Sequence, residues 1–458
     1  MLYIRLCLLF VCFVLSFETL CGESYGFRVY LKDKGNSGYT VDQPESFLSN
    51  AAIDRRLKEG KFVDESDLPI SSSYIEIVAS TGGEPVVQSR WFSTIVVMTE
   101  DSAIVEQLQK LPIVDSVKWV WKGKRSLATE DVRDTSRLYP SEDVLKSRYG
   151  YAEKQIKMLN GIKLHKEGYR GKGMQVAVID AGFMNVDRMS VFTSVDIIGT
   201  RNIVAPEESV YNDEAHGTKV FSCLAANTPG IMVGTAPEAS YWLIKSEDGR
   251  SEYPIEEDYW TAAVEFADSV GVKVISSSLG YFTFDDEALN YNQSLLGGRT
   301  AFITRAAEMA AEKGILLFIS AGNEGYGNWG KITFPSDAEN VFTIGAITSE
   351  KEKSSFSSVG FMTDGRVKPD AVALGTGVTI MDSSGKVRFG NGTSFATPIL
   401  AGLGICLWQA LPWLSNKEVI GLMQRVSSQY KQPDIEMGYG IPDMYKALNT
   451  ERRNVRNE

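Results

Sequence analysis

The sequence predicts an α/β fold with a mainly parallel central sheet, preceded by a small α+β domain. From Tyr149 onward, short runs of β-branched and apolar residues alternate with helical patterns, which is typical of a parallel sheet covered by helices on both faces. Two of these runs, residues 176–179 and 315–319, contain no polar residue, as expected of strands that are buried on both sides. About 300 residues follow Tyr149, and a chain of that length can enclose one well-buried core.

Residues 22–126 are predicted to form the small domain. Alternating segments indicate strands and amphipathic segments indicate helices. The predicted strands are residues 27–31, 91–98 and 114–120, and the predicted helices are residues 47–57 and 101–108. Two helices against a small antiparallel sheet are typical of a ferredoxin-like fold. The polar, charge-rich residues 127–148 are predicted to form a linker to the larger domain.

The first 21 residues have the pattern of a secretory signal peptide. Arg5 precedes an apolar stretch, residues 6–17, that is too short to cross a bilayer comfortably. Small residues suit cleavage near Cys21; the alternative, a lipid-modified Cys21, fits its neighbours poorly. We therefore expect a secreted, periplasmic or cell-envelope protein. No later stretch is apolar for about 18 residues, so we expect no transmembrane segment in the mature chain.

The charge and the cysteines exclude two classes of protein. The formal net charge is −11, and a secreted chain with an acidic excess is not expected to bind nucleic acid. Beyond the signal region only Cys223 and Cys406 remain, so the fold does not depend on a disulfide framework. Two buried free thiols are favoured over a bond between them.

Three short motifs, far apart in the sequence, each supply one member of a nucleophilic triad. Asp180 ends the apolar run 176–179, His216 begins His-Gly-Thr, and Ser394 lies within Gly-Thr-Ser-Phe-Ala-Thr-Pro. A serine hydroxyl is a poor nucleophile until a base accepts its proton and a carboxylate orients that base. The motifs provide these groups in the order Asp, His, Ser, which is one of three unrelated chain orders for this geometry.

Histidine is scarce, so the base has few candidates. The chain contains 2 histidines, His165 and His216. His165 lies in a polar segment and is predicted to be a surface or helix-end residue. His216 is predicted to begin a helix that Asp213 caps. For His216 taken alone, a helix-terminal histidine without chemistry is the alternative.

Ser394 is predicted to begin a mostly apolar helix that ends near Gln409. A helix with so little charge must be buried, and its N-terminus favours the negative charge of a tetrahedral intermediate. The alternative for Ser394 alone is a helix N-cap. Ala396 replaces the last glycine of the Gly-x-Ser-x-Gly elbow, which argues against an α/β-hydrolase. Asn323 follows the run 315–319 among glycines, where its amide can point into a cleft or occupy a turn.

With their flanking residues, these motifs resemble those of the subtilisin-like serine proteases, over residues 149–445. The resemblance implies a subtilisin-like three-layer sandwich. It also implies a serine endopeptidase with Asp180, His216 and Ser394 as the catalytic triad and Asn323 as the donor to the oxyanion.

The resemblance further implies where a substrate binds. Two segments at strand ends, Ser278-Leu279-Gly280 and Ser320-Ala321-Gly322, would pair with an extended peptide by strand addition. Their glycines would leave room for a sizeable side chain before the scissile bond. We expect the substrates to be proteins or peptides.

Departures from the family pattern bear on metal binding. The segment after the predicted base helix, residues 226–231, is shorter than the family's calcium loop, and Met189 stands where an aspartate often completes that site. We therefore expect no required cofactor and assign no metal ligand; structural calcium is possible but has no assignable site. The acidic clusters at residues 256–258 and 285–287 could hold calcium, but we expect them to be solvated loops.

The small domain lies between a signal peptide and a subtilisin-like domain, a position that resembles the inhibitory propeptide of these proteases. The chain would then be a zymogen whose own propeptide inhibits it and is removed by self-cleavage between residues 122 and 128. An accessory domain that stays attached is the alternative. The predicted parts are a signal peptide (1–21), a propeptide (22–126), a linker (127–148), a catalytic domain (149–450) and a charged tail (451–458).

The leading interpretation is a secreted serine endopeptidase made as a zymogen. The main alternative is a catalytically silent relative that acts as an extracytoplasmic binding or scaffold protein, although silent relatives usually lack one of the site residues that are intact here. A lipase or esterase is disfavoured by the residue order and by the missing elbow.

Overall fold

The structure, a computed structural model, describes residues 23–123, 147–297, 299–360 and 362–457. The signal peptide expected over residues 1–21 lies outside the described residues, as does all of the expected linker except residues 147–148. Two domains are packed face to face, and the smaller one comes first in the chain.

Within residues 23–123, the small domain is a four-stranded antiparallel sheet with helices on one face. Its elements are β1 (Ser24–Leu31), α1 (Asn50–Lys58), α2 (Ser72–Ala79), β2 (Glu84–Ser89), β3 (Thr94–Thr99), α3 (Ile104–Lys110) and β4 (Val114–Gly123). The strand order is β2-β3-β1-β4, and β1 pairs antiparallel with both neighbours. Val78 of α2 and Leu108 of α3 pack on the sheet in a core of the domain's own. The predicted small α+β domain is confirmed, and its strand order is ferredoxin-like.

One of the two helices predicted to pack on the small sheet lies elsewhere. The helix expected over residues 47–57 is α1, but it packs against the larger domain, where Gly271 lies against Ala51 and Arg55 donates to the carbonyl of Val272. The helix that accompanies α3 on the sheet is α2, which the sequence pattern did not predict.

The larger domain is built on a parallel sheet. Its strands are β5 (Gln175–Asp180), β6 (Asp196–Asn202), β7 (Asn227–Thr228), β8 (Met232–Val233), β9 (Ser240–Lys245), β10 (Val274–Ser277), β11 (Leu316–Ser320), β12 (Phe342–Ile347), β13 (Ala371–Leu374), β14 (Val378–Met381) and β15 (Val387–Gly390). In the described residues, seven of them form one sheet in the order β13-β12-β11-β10-β5-β9-β6, with every neighbouring pair parallel. β7 pairs with β8 and β14 with β15 as short antiparallel ladders.

Helices cover both faces of this sheet. They are α4 (Glu153–Lys157), α5 (Gly161–Lys166), α6 (His216–Ala225), α7 (Ile255–Ser269), α8 (Phe302–Glu312), α9 (Thr393–Ala410), α10 (Asn416–Arg425) and α11 (Met444–Asn457). Along β5, Val176 and Val178 join the core formed with α6 and α9, whereas Ala177 and Ile179 join the core formed with α7 and α8. This alternation produces the three-layer sandwich that was predicted.

Helix α9 lies in the middle of the larger domain and is buried at every position from Thr393 to Trp408. Glycine lets it approach the sheet, because a Cβ at Gly404 would lie 2.4 Å from the ring of Phe318. Among the described residues, α9 is the one helix whose length and composition would suit a membrane span, and 89% of it is buried inside the fold.

The two domains share a continuous apolar interface. The face of the small sheet opposite α2 and α3 carries Val96, Met98 and Trp121, which pack with Tyr259 and Trp260 of α7 in one core. The interface also contains buried ion pairs between arginines of the small domain and acidic residues of α7. Arg28 is bidentate to Asp258, with both hydrogen bonds at 2.6 Å, and its guanidinium lies 3.9 Å above the ring of Phe302.

The structure corrects one prediction about a charged segment and adds to a second. Residues 256–258 are not a solvated loop: they form the first turn of α7 and are buried under the small domain. The expected tail at residues 451–458 continues helix α11 as far as Asn457, and Arg452 donates to Glu167 at 2.6 Å.

Candidate active site

The carboxylate of Asp180 lies at the carboxyl end of β5, in the centre of the sheet. It is fully buried, and its Oδ1 accepts from the N–H of Ala181 at 2.8 Å and lies 2.7 Å from Nδ1 of His216. Gly217 allows this contact, because a Cβ there would lie 2.4 Å from the carbonyl of Gly182. The start of α6 can therefore lie directly against the end of β5.

Two opposing effects act on the pKa of His216. Burial in the cleft disfavours the imidazolium, but the adjacent Asp180 outweighs that effect and raises the pKa of His216 above its usual value. A histidine held in this way keeps its proton on Nδ1 and presents Nε2 to the cleft.

Ser394 lies in the first turn of α9 and lines the same cleft, of about 370 Å³, as His216. Its hydroxyl donates to the carbonyl of Ser278 at 3.4 Å, and the hydroxyl of Ser278 donates to the carbonyl of Ser394 at 2.9 Å. The pair of bonds joins the start of α9 to the end of β10. A hydrogen bond of 3.4 Å is at the weak end of the normal range, so the Ser394 hydroxyl can turn away from it easily.

Asn323 follows β11 and also lines the cleft. Its Oδ1 accepts two hydrogen bonds from Thr393, one from the N–H at 2.9 Å and one from the hydroxyl at 3.0 Å. Two donors on one atom identify that atom as the oxygen of the amide. The donating Nδ2 is therefore directed away from Thr393.

The two predicted substrate-binding segments both line the cleft and form two of its walls, with the exception of one residue. Ser278, Leu279, Gly280, Ser320 and Gly322 all line it. Ala321 does not: its side chain is buried in the core, and its carbonyl accepts from the N–H of Thr333 at 3.1 Å.

Several cleft residues were not predicted from the sequence, among them Glu214, Glu247 and Thr333. The hydroxyl of Tyr281 donates to Glu247 at 3.2 Å. Burial raises the pKa of Glu247 to about 8, and the nearby negative charges of Glu252 and Asp180 act in the same direction. Glu247 could have been predicted, because it follows the end of β9, the strand next to β5, and ligands bind at the carboxyl ends of parallel strands. Glu214 and Thr333 lie in loops without such a signal.

Three further predictions concern residues around the site. His165 is at a helix end as predicted but is not on the surface: it is buried, its Nε2 lies 2.9 Å from the carbonyl of Thr235, and burial lowers its pKa to about 4. Helix α6 does begin at His216, but Asp213 does not cap it and instead binds Lys245 at 2.6 Å.

The thiols of Cys223 and Cys406 are buried and do not form a disulfide, as predicted. Within the residues that the structure describes, no group of three or more histidine, cysteine, aspartate or glutamate side chains is arranged to hold a metal ion.

Comparisons with known proteins agree for both domains. The family model described as "Subtilase family" matches residues 171–440, and the model described as "Peptidase S8 propeptide domain, Bacteroidota" matches residues 26–136. Subtilisin NAT of Bacillus subtilis subsp. natto is 31% identical over 296 residues, which cover 63% of this chain and 69% of that protein. Subtilisin DY of Bacillus licheniformis is 29% identical over 269 residues, which cover 58% of this chain and 87% of that protein.

A solved structure shows the same fold. The MycP3 protease from the type VII (ESX-3) secretion system is similar with a TM-score of 0.52 and 22% sequence identity, over 64% of this chain and 87% of that chain. The extent of the family match, together with the sequence identity to the subtilisins, establishes the family. The chain therefore belongs to the subtilase family of serine endopeptidases and carries a propeptide domain ahead of its catalytic domain.

Proposed function

We propose that the chain is a secreted zymogen that hydrolyses peptide bonds with Asp180, His216 and Ser394 as its catalytic triad and Asn323 as an oxyanion donor. The observation that carries the proposal is the 2.7 Å contact of Asp180 with His216 in a cleft that Ser394 and Asn323 also line. Acyl transfer requires a nucleophile, a base, a group that orients the base and an oxyanion donor around one space.

In the proposed reaction, the Ser394 hydroxyl attacks the carbonyl carbon of the scissile bond while Nε2 of His216 accepts its proton. Asp180 keeps the other imidazole proton on Nδ1 and stabilises the imidazolium that forms. His216 then gives the proton to the leaving amine. A water molecule releases the acyl product by the same sequence of proton transfers.

The oxyanion would form between the Nδ2 group of Asn323 and the backbone N–H of Ser394. The two hydrogen bonds from Thr393 fix the Asn323 amide before substrate arrives, so no reorganisation is required as charge develops. The N-terminus of α9 adds a favourable field at the same point.

The propeptide domain would inhibit the enzyme by continuing into the cleft. Strand β4 ends at Gly123 in a hollow that Asp248 also lines, and the neighbours of Asp248, Glu247 and Gly249, line the cleft itself. The residues after Gly123 would then pass the two wall segments as a substrate does, and the first cut would fall between residues 122 and 128. Residues 124–128 lie outside the described residues.

The remaining parts of the proposal come from the sequence. A signal peptide over residues 1–21 would direct the chain to the outside of the cell or to the envelope. The propeptide would cover residues 22–126, the linker would cover residues 127–148, and the catalytic domain would cover residues 149–450. We propose proteins or peptides as substrates and no required cofactor; a structural calcium site is not assigned.

The test is to compare the wild type with Ser394→Ala in peptide hydrolysis and in labelling by an active-site phosphonylating reagent. We expect Ser394→Ala to lose both, and His216→Ala and Asp180→Ala to lose nearly all hydrolysis without unfolding. Triad members act as a unit, so combined variants should lose little more than the worst single one, a rule established on a subtilisin itself. Ser355→Ala, which changes an exposed serine outside the cleft lining, is the matched control.

Turnover near the wild-type level in Ser394→Ala would refute the assignment. A folded wild type that takes no label but binds peptides would instead favour a catalytically silent binding protein, the second candidate.

A further inference from the structure

Between the two walls of the cleft, beside Ser394, lies the space where the side chain before the scissile bond would enter. Gly280 and Gly322, one from each wall segment, both line the cleft here. Glycines at such positions leave room, which is why the sequence alone predicted a pocket for a sizeable side chain. In the structure the room is occupied by Thr333.

Thr333 touches both walls. A Cβ placed on Gly280 would lie 2.1 Å from Oγ1 of Thr333, and a Cβ placed on Gly322 would lie 2.9 Å from its Cγ2. The two branches of one threonine side chain therefore lie against the two glycines and narrow the space between them.

Thr333 cannot move aside easily. Its N–H donates to the carbonyl of Ala321 at 3.1 Å, and its carbonyl accepts from the N–H of Ser336 at 2.9 Å. The residue is 3% exposed, and a β-branched side chain has few rotamers. The size of the pocket is therefore a fixed property of the fold.

The hydroxyl of Thr333 adds a second property. Among the described residues, its Oγ1 has no hydrogen-bond partner although the atom is buried. An unpaired buried hydroxyl is unfavourable, and a ligand that supplies a partner recovers that free energy. A substrate side chain with its own hydroxyl could supply the partner.

We propose that Thr333 is the specificity-determining residue of this protease and restricts cleavage to bonds that follow small residues, with serine preferred over alanine and large apolar residues excluded. The proposal rests on the proposed function, because it concerns the same cleft. Its physical basis is steric exclusion by Cγ2 and Oγ1, together with one unused hydrogen-bonding group.

The experiment measures kcat/KM of the purified, matured protein on peptide substrates that differ only in the residue before the scissile bond: alanine, serine, leucine or phenylalanine. A single methylene in a specificity pocket changes kcat/KM by about 10–200-fold, so alanine should exceed phenylalanine by at least about 10²-fold in the wild type. One hydrogen bond should favour serine over alanine by about 2–10-fold.

Two variants separate shape from hydrogen bonding. Thr333→Gly removes Cβ, Oγ1 and Cγ2 and should raise kcat/KM for phenylalanine by about 10–200-fold while changing alanine little. Thr333→Val keeps the shape, so it should keep the exclusion of phenylalanine and lose the preference for serine. Thr261→Val is the control, since Thr261 is also buried but lies on α7, outside the cleft lining, and its hydroxyl donates to the carbonyl of Glu257 in the same helix.

The possible outcomes test the role of Thr333 separately from the proposed protease function. A wild type that cleaves the phenylalanine substrate as well as the alanine substrate, with Ser394 labelled, would overturn the role of Thr333 and leave the proposed function intact. A folded wild type that cleaves none of the series and takes no label on Ser394 would overturn both. If Thr333→Gly does not fold, the wild-type series and Thr333→Val still decide the question.

Discussion

The ion pairs between the two domains should determine how tightly the propeptide inhibits, and Asp268→Asn tests this directly. Asp268 is buried in the last turn of α7 and is in contact with three arginines of the propeptide domain: it pairs with Arg55, lies 2.6 Å from Arg56 and lies 3.3 Å from Arg90. Burial disfavours its carboxylate, but the three arginines together outweigh that effect and hold the pKa of Asp268 below its usual value.

The size of the effect follows from leaving a buried charge without its partner. Removing one member of a buried ion pair costs about 3–5 kcal/mol. Because 1.4 kcal/mol is tenfold in an equilibrium constant, Asp268→Asn should weaken propeptide binding by roughly 10²-fold to 4 × 10³-fold. The free catalytic domain should not be destabilised, since a carboxylate in the last turn of a helix opposes the helix dipole.

The assay is inhibition of the mature enzyme by separately expressed residues 22–126, compared between wild type and variant. Glu238→Gln is the matched control, because Glu238 is a surface acid that binds Arg170 at 3.0 Å, and its removal changes the net charge equally. A double variant with Arg56→Gln should lose less than the sum of the two single losses. Unchanged inhibition of Asp268→Asn would show that the contacts of Asp268 with its three arginines do not contribute to propeptide binding.

Three further predictions concern the catalytic site. Asn323→Ala should lower turnover by about 10²–10³-fold, a magnitude known from a subtilisin itself, with little effect on substrate affinity. A variant that binds substrate poorly but turns it over normally would show that the oxyanion donor lies elsewhere. Burial opposes charge on His216, but Asp180 raises its pKa above 6.5, so kcat/KM should fall as the pH decreases through that raised pKa. Asp180→Asn should move this acidic limb of the pH–rate profile to lower pH. A limb that does not move would contradict the assignment. Ser394→Ala should retain its propeptide, and N-terminal sequencing of the wild type should find a start between residues 123 and 128. An active enzyme that begins at residue 22, or normal maturation of the isolated variant, would disprove self-cleavage.

The cleft could largely be predicted because its residues follow patterned strands. Asp180, Ser278 and Asn323 each come at or after the end of a strand that the sequence pattern predicts, and the carboxyl ends of parallel strands meet at one edge of a sheet. Thr333 could not be found in this way. It reaches the cleft from a loop after β11, and only the folded chain shows that it lies against Gly280.

The burial of the acids on α7 was predicted wrongly for a similar reason. A run of three acidic residues is usually solvated, and nothing near residues 256–258 indicates otherwise. The partner of Asp258 is Arg28, 230 positions earlier in the chain, so the pairing becomes visible only when the propeptide domain is placed on the helix. His165 is a parallel case, since its buried partner Thr235 is 70 positions away.

Helix α7 joins the propeptide interface to the cleft. Its first turn contains Glu256, which accepts from the N–H of Asp248 at 3.1 Å beside the cleft residue Glu247, and Asp258, which holds Arg28. After propeptide release these acids would remain at a helix N-terminus, where the dipole stabilises them, whereas Asp268 at the other end would lose its arginines and face an opposing dipole. Asp268 therefore depends more on the bound propeptide than the acids of the first turn do, and the first turn can keep the cleft wall in place once the propeptide has gone.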